Sequence, residues 1–269
     1  MTTARLILEA DGGASAEVAR HGAQVLSWRP AGSRQDRLYL SPRARFGTGH
    51  AIRGGIPLLF PQFGLFGPLP KHGLVRTAQW HALPRTAPNE ACFGLGDSAD
   101  TRSLWPYAFE LQATISLAPQ SLSVSLQVLN RDEQPFTFTA GLHTYLRLQG
   151  GAGGVRLVGL ADRPYLDALA DLRLQAASGV EPPASGTVDR VYLGAATPVT
   201  LIDGERLTGI SQSGFEDVVV WNPGSGTTVP DLPPADHAVM LCVEAARIGN
   251  PVTLVPGGHW LGSQTLRAL

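Results

Sequence analysis

Histidine is the side chain most ready to move a proton near neutral pH, and of the seven in this chain His143 has the most telling surroundings. It lies in Gly141-Leu142-His143-Thr144-Tyr145-Leu146-Arg147-Leu148. An extended backbone there puts His143, Tyr145 and Arg147 on one face and Leu142, Thr144, Leu146 and Leu148 on the other. An ordinary solvated sheet face would look the same, so His143 needs a partner before it implies chemistry. Glu244 is a candidate. It follows the apolar run Ala238-Val239-Met240-Leu241-Cys242-Val243, which reads as an interior strand, apolar on both faces, where an unpaired carboxylate is costly. Glu244 is therefore ion-paired, wet at a strand end, or chemically employed.

Two further segments place cations among glycines. In Ile52-Arg53-Gly54-Gly55-Ile56-Pro57 and in Lys71-His72-Gly73-Leu74-Val75-Arg76 the glycines let backbone approach a ligand closely, and a guanidinium presents a planar fork suited to phosphate or carboxylate. Together the two loops could build a local anion pocket. The competing reading is that Arg53 and Arg76 pair with surface acids, as most exposed arginines do without consequence. The stretch Gly214-Phe215-Glu216-Asp217-Val218-Val219-Val220-Trp221-Asn222-Pro223 ends in residues that suit sugar faces and hydroxyls. A core tryptophan beside a turn is the plainer interpretation.

The elements that must carry these groups are strands. Thirty-one glycines and 21 prolines are spread so evenly that no stretch free of both exceeds 15 residues, 120–134, which leaves little room for long helices. That stretch holds Ser121-Leu122-Ser123-Val124-Ser125-Leu126-Gln127-Val128, alternating with period two like a strand with one wet face. Short runs at Phe136–Leu148, Val155–Leu160, Val218–Trp221 and Ala238–Ala245 repeat the pattern between turn residues. Gly150 to Gly154 reads as a turn, since it lacks the spacing of a dinucleotide loop. Only Tyr165–Ser178, which could equally be strand plus loop, and part of Arg34–Arg45 could be helical. The fold class expected is all-β, an antiparallel sandwich or barrel, and with no repeat or linker to mark a cut it forms a single domain over residues 1–269.

Composition narrows the partners. With 43% hydrophobic and 16% charged residues the chain is not disordered. A formal net charge of -1 supplies no field for nucleic acid or an anionic membrane, so any anion must be held locally. No apolar run reaches the roughly 18 residues of a membrane span, and Glu9 and Asp11 fall where a signal peptide would be apolar. Cys92 and Cys242 are too distant in sequence for a metal knuckle or disulfide framework. A cytoplasmic monomer is expected. Neither G-x-x-x-x-G-K-[ST], H-E-x-x-H, G-x-S-x-G nor C-x-x-C occurs, which removes NTPase, zincin and serine-hydrolase readings.

Taken in order, Ile52 to Pro57, His72-Gly73-Leu74-Val75-Arg76, Leu142-His143-Thr144-Tyr145, Asp189-Arg190-Val191-Tyr192, Val220-Trp221-Asn222-Pro223 and Cys242-Val243-Glu244 resemble the hexose-6-phosphate mutarotases, the glucose-6-phosphate 1-epimerases of the aldose 1-epimerase superfamily. The resemblance runs from about residue 15 to the C-terminus and implies a galactose-mutarotase-like β-sandwich, with no metal and no cofactor. It implies catalysis by His143 and Glu244, and substrate binding by Arg53, Arg76, Asp189 and His72. Lys71 stands where the family often has Gln, an extra cation beside a sugar phosphate or another anionic sugar. The chemistry fits the residue types. Exchanging the anomers of a pyranose takes removal of the anomeric hydroxyl proton and protonation of the ring oxygen. At ordinary pKa values of roughly 4.3 and 6.5 Glu244 suits the base and His143 the acid. An epimerase for unphosphorylated aldoses, or a sugar-binding module without turnover, is the alternative.

Overall fold

The period-two rule sorts this chain into layers. In a computed structural model that describes residues 4–47, 49–149, 154–196 and 198–269, the strand Ser121–Asn130 buries every second side chain. It forms a hairpin with Phe109–Ala118, pairing Phe109 with Asn130 at one end and Ala118 with Ser121 at the other. The strand His259–Ala268 adds to the hairpin's open edge. These three are the middle of one eight-stranded antiparallel sheet among the described residues. Its inward row, which includes Leu111, Ile115, Val124, Leu126, Val128 and Leu266, is essentially solvent-free. Each such aliphatic side chain contributes about 1.5–3 kcal/mol relative to exposure.

Against that row packs a second eight-stranded sheet, and a three-stranded sheet of Arg5–Ala10, Ala14–Ala19 and Gln24–Arg29 closes one side. The second sheet carries the chemistry. Its centre is the long strand Met240–Leu254, flanked by Asp217–Pro223 on one edge and by Phe136–Leu142 and Tyr145–Arg147 on the other; Thr187–Tyr192 lies beyond Asp217–Pro223. Odd-numbered Leu241, Val243 and Ala245 point into the main core with Val188, Val218 and Val220. Cys242 and Glu244, Val219 and Trp221, and Asp189 and Val191 therefore project from the opposite face. The architecture is the antiparallel β-sandwich expected.

Some local expectations change. Tyr165–Ser178 is not helical: it forms the two outermost strands of the second sheet, Tyr165–Asp167 and Arg173–Gln175, around one 3-10 turn at Ala168–Ala170. Arg34–Arg45 contains no helix and is held in the fold by isolated bridges at Leu38 and Leu40. The single α-helix among the described residues, Ala99–Leu104, falls where none was expected and is capped reciprocally by Ser98 and Thr101. The glycine-rich turn at Gly150 to Gly154 lies, but for Gly154, outside the described residues. Among the described residues no helix is long and apolar enough to cross a membrane.

Candidate active site

His143 owes its position to a break in the ladder. The expected single strand from Phe136 to Leu148 opens for two residues, where the Thr144 N–H turns back to the Leu142 carbonyl (3.0 Å) and the His143 N–H goes to Pro57 (2.9 Å). The break is held by the central strand, whose Val243 N–H donates to the Thr144 carbonyl (3.0 Å). The imidazole then lies flat on the Tyr145 ring, with centroids 4.6 Å apart and planes within 5°. From the adjacent strand Glu244 brings Oε1 to 3.4 Å from His143 Nδ1. Both side chains are almost fully buried, and His143 Nδ1 and Glu244 Oε2 have no hydrogen-bond partner in the protein.

The pair lines a cleft of about 350 Å³ together with Arg53, Lys71, His72, Arg76 and Asp189. All seven site residues singled out in the sequence thus meet in one cavity. The two glycine loops shape it. Gly55 and Gly73 sit at φ +63° and +73°, and a Cβ on either would come within 2.0 Å of Val25 O or 2.2 Å of Phe60 O, contacts that only glycine tolerates. Beside Gly73, His72 itself holds a left-handed φ of 69°, a conformation that costs of order 1–3 kcal/mol outside glycine and clusters at functional sites. Its Nδ1 accepts the Gly64 N–H (3.2 Å), so Nε2 carries the hydrogen. Burial, with Arg76, Lys71 and Arg53 adding to it, pushes His72 down to about 2; this ring is a neutral donor.

The two arginines differ. Arg53 donates Nε to Asp231 Oδ1 (3.0 Å) and Nη1 to the Tyr145 hydroxyl (2.8 Å), so it pairs with an acid after all, a part-buried one. Arg76 donates Nη2 to the Lys71 carbonyl (2.8 Å) and, among the described residues, forms no ion pair. Lys71 is exposed at the mouth. Trp221, read from sequence as a core residue, is half-buried and lines the cleft, its ring edge-on to His143 at 6.0 Å. Asp231 and Tyr145 were not anticipated as site residues. Tyr145 shares the parity of His143 and was legible on that ground, whereas Asp231 sits in a Gly- and Pro-rich loop that carries no periodic signal.

Ordinary pKa values do not hold in this cleft. Burial, reinforced by Asp189 and opposed by Lys71, raises the Glu244 carboxyl well above its usual range. Burial, then His72, Arg53, Arg76 and Lys71, lowers His143 well below its own. Both shifts favour the uncharged forms of the pair over the ion pair. A measurable consequence follows for stability. Between the unfolded carboxyl pKa of about 4.3 and the raised native value the folded state holds more protons than the unfolded one, so stability falls as pH rises through that window. Glu244→Gln removes this loss. It should raise Tm towards the upper end of that window and give no gain near pH 4. Thermal unfolding at the two pH values checks this.

The whole chain can now be set beside known proteins. Residues 5–267 match the family model described as aldose 1-epimerase. The chain belongs to the aldose 1-epimerase family. It is 33% identical over 280 residues, 98% of this chain and 84% of the relative, to a Cenchrus ciliaris protein named "Putative glucose-6-phosphate 1-epimerase". It is 32% identical, over 86% of this chain and 79% of the relative, to an Escherichia coli K12 protein of the same name. A Salmonella typhimurium protein, solved as "a putative mutarotase (YeaD)", superposes with a TM-score of 0.88 at 27% identity, covering 98% of this chain and 90% of that one. As a member of the aldose 1-epimerase family this chain is an isomerase of the mutarotase type.

Proposed function

We propose that this mutarotase acts on a hexose 6-phosphate, glucose 6-phosphate first among them, with His143 and Glu244 as its proton-transfer pair. One observation carries the reading: Arg53, Lys71 and Arg76 line the same cleft of about 350 Å³ as the 3.4 Å His143–Glu244 contact. A chain with a net charge of -1 has no general use for three cations around one buried acid–base pair, but a phosphate of about −1.5 to −2 charge does. The names of the relatives support the same substrate.

The chemistry needs one proton shared between two groups. The base takes the proton from the anomeric hydroxyl while the acid gives one to the ring oxygen. The C1–O5 bond breaks with its electron pair going to O5, and C1 becomes an aldehyde. Rotation about C1–C2 presents the other face, the pair exchange roles, and the ring closes. In the free cleft burial favours Glu244 as the holder of that proton. A phosphate seated against Arg53, Arg76 and Lys71 offsets the cations that disfavour a charged His143 and so favours the form in which Glu244 is the base and His143 the acid. His72 and Asp189 would hold sugar hydroxyls, and Trp221 a sugar face.

Anomer exchange measured on glucose 6-phosphate and glucose side by side tests the reading. Catalysis with kcat/KM at least tenfold higher for the phosphate ester is expected. Equal or greater efficiency on glucose would make the chain an epimerase of unphosphorylated aldoses, and exchange of neither sugar would leave it a binding module.

A further inference from the structure

Cys242 takes no part in that chemistry, yet it belongs to the same cluster. It precedes Glu244 by two residues on the central strand, is fully buried and forms no disulfide. Its Sγ, a ring nitrogen of His143 and a Glu244 carboxylate oxygen all lie within 4.8 Å of one another.

We propose that His143, Cys242 and Glu244 form an inhibitory site for a soft divalent cation of the Zn²⁺ or Cd²⁺ kind, which shuts down the isomerase by occupying the atoms that move protons. The geometry is close to what such an ion requires. With metal–nitrogen and metal–oxygen bonds of about 2.0–2.1 Å, tetrahedral coordination sets neighbouring N and O donors about 3.3 Å apart. The observed His143 Nδ1 to Glu244 Oε1 distance is 3.4 Å. A thiolate at about 2.3 Å must come within about 3.6 Å of each, so Cys242 Sγ closes by about 1.2 Å at most, within reach of a side-chain rotation. His143 Nδ1 and Glu244 Oε2, buried and without protein partners, have lone pairs free to accept a metal.

Charge points the same way. A dication joined to one thiolate, one carboxylate and one neutral imidazole is neutral overall, so the buried cluster gains no net charge on binding it. The balance is simple: the thiol and the carboxyl each release a proton as the M–S and M–O bonds form, and no redox change occurs. Arg53, Arg76 and Lys71 repel hard, hydrated ions such as Mg²⁺ and Ca²⁺, which have no thiolate affinity to offset that repulsion. The three donors leave a fourth position open towards the cleft that His143 and Glu244 line, as in zinc sites that accept a water or a ligand oxygen. The inhibition, though not the binding, rests on His143 and Glu244 being the proton-transfer pair.

Two readouts on the intact protein test the site. Co²⁺ should give the near-ultraviolet thiolate-to-metal absorption of a Co–S bond, and Zn²⁺ should inhibit anomer exchange while Mg²⁺ does not. Cys242→Ser and Cys242→Ala should each lose the Co–S band and need at least tenfold more Zn²⁺ for half-inhibition. Cys92→Ser, which alters the one other cysteine, a half-buried residue on the far sheet, should keep both responses. Absence of the band from the wild type, its loss only in Cys92→Ser, or unchanged Zn²⁺ sensitivity in the Cys242 variants overturns the proposal. A protein that shows the Cys242-dependent band but exchanges no anomers would instead refute the functional reading while leaving the metal site standing.

Discussion

Glu244→Gln is expected to lower kcat/KM for anomer exchange by about 10²- to 10⁴-fold, the usual worth of a positioned proton-transfer group, with substrate binding little changed. Gln matches the carboxyl in shape and is uncharged, the form that burial favours for Glu244. What it lacks is a proton that can leave. His143→Asn should lose a comparable amount. The double variant should fall far short of the product of the two losses, because groups that share one proton act as a unit. Exchange rates between anomers followed by NMR at equilibrium provide the measurement, and a Glu244→Gln protein exchanging at the wild-type rate would mean that a different base operates.

Arg76→Ala should separate phosphorylated from neutral sugars. This guanidinium lines the cleft and donates to a backbone carbonyl rather than to an acid, so its remaining N–H groups are available to an anion. Losing a charge-assisted hydrogen bond costs roughly 1.5–3 kcal/mol, which raises KM for a hexose 6-phosphate by about 10- to 150-fold, while turnover of the neutral hexose stays near its starting value. Arg53→Ala should behave differently. Its removal strands Asp231 and frees the hydroxyl of Tyr145, whose ring supports His143, so both substrates should suffer. Parallel kinetics on the two sugars distinguish a phosphate contact from a scaffold: equal losses on both with Arg76→Ala would remove this residue from the phosphate site.

Much of this was legible in the residues, for physical reasons that also explain the gaps. Period-two burial shows in a string such as Ser121 to Val128 because one side of the strand stays wet. The three-residue strands at Tyr165–Asp167 and Arg173–Gln175 are too short to display any period, and pairing partners decide them. His143 and Glu244 stood out because a titratable group in an apolar strand has few reasons to be there. Their protonation was not legible. Reference values suited Glu244 to the base and His143 to the acid, and only burial together with the neighbours of each shifts both towards their uncharged forms. Asp231 could not be found at all, since its meaning comes from a contact with Arg53 across 178 positions of chain.

The register of the central strand has one further implication. Val219 lies opposite Glu244 on one edge, and on the other the next residue, Ala245, pairs with Leu142, so the backbone under Glu244 is clamped from both sides. A carboxyl mounted in this way cannot travel with a reacting sugar. In the proposed cycle the moving part is then the open-chain aldehyde, whose C1–C2 torsion turns between two stationary groups. The protein acts as a fixed jig and the ligand as the hinge. Amide hydrogen exchange at Glu244 should accordingly be slow and indifferent to ligand.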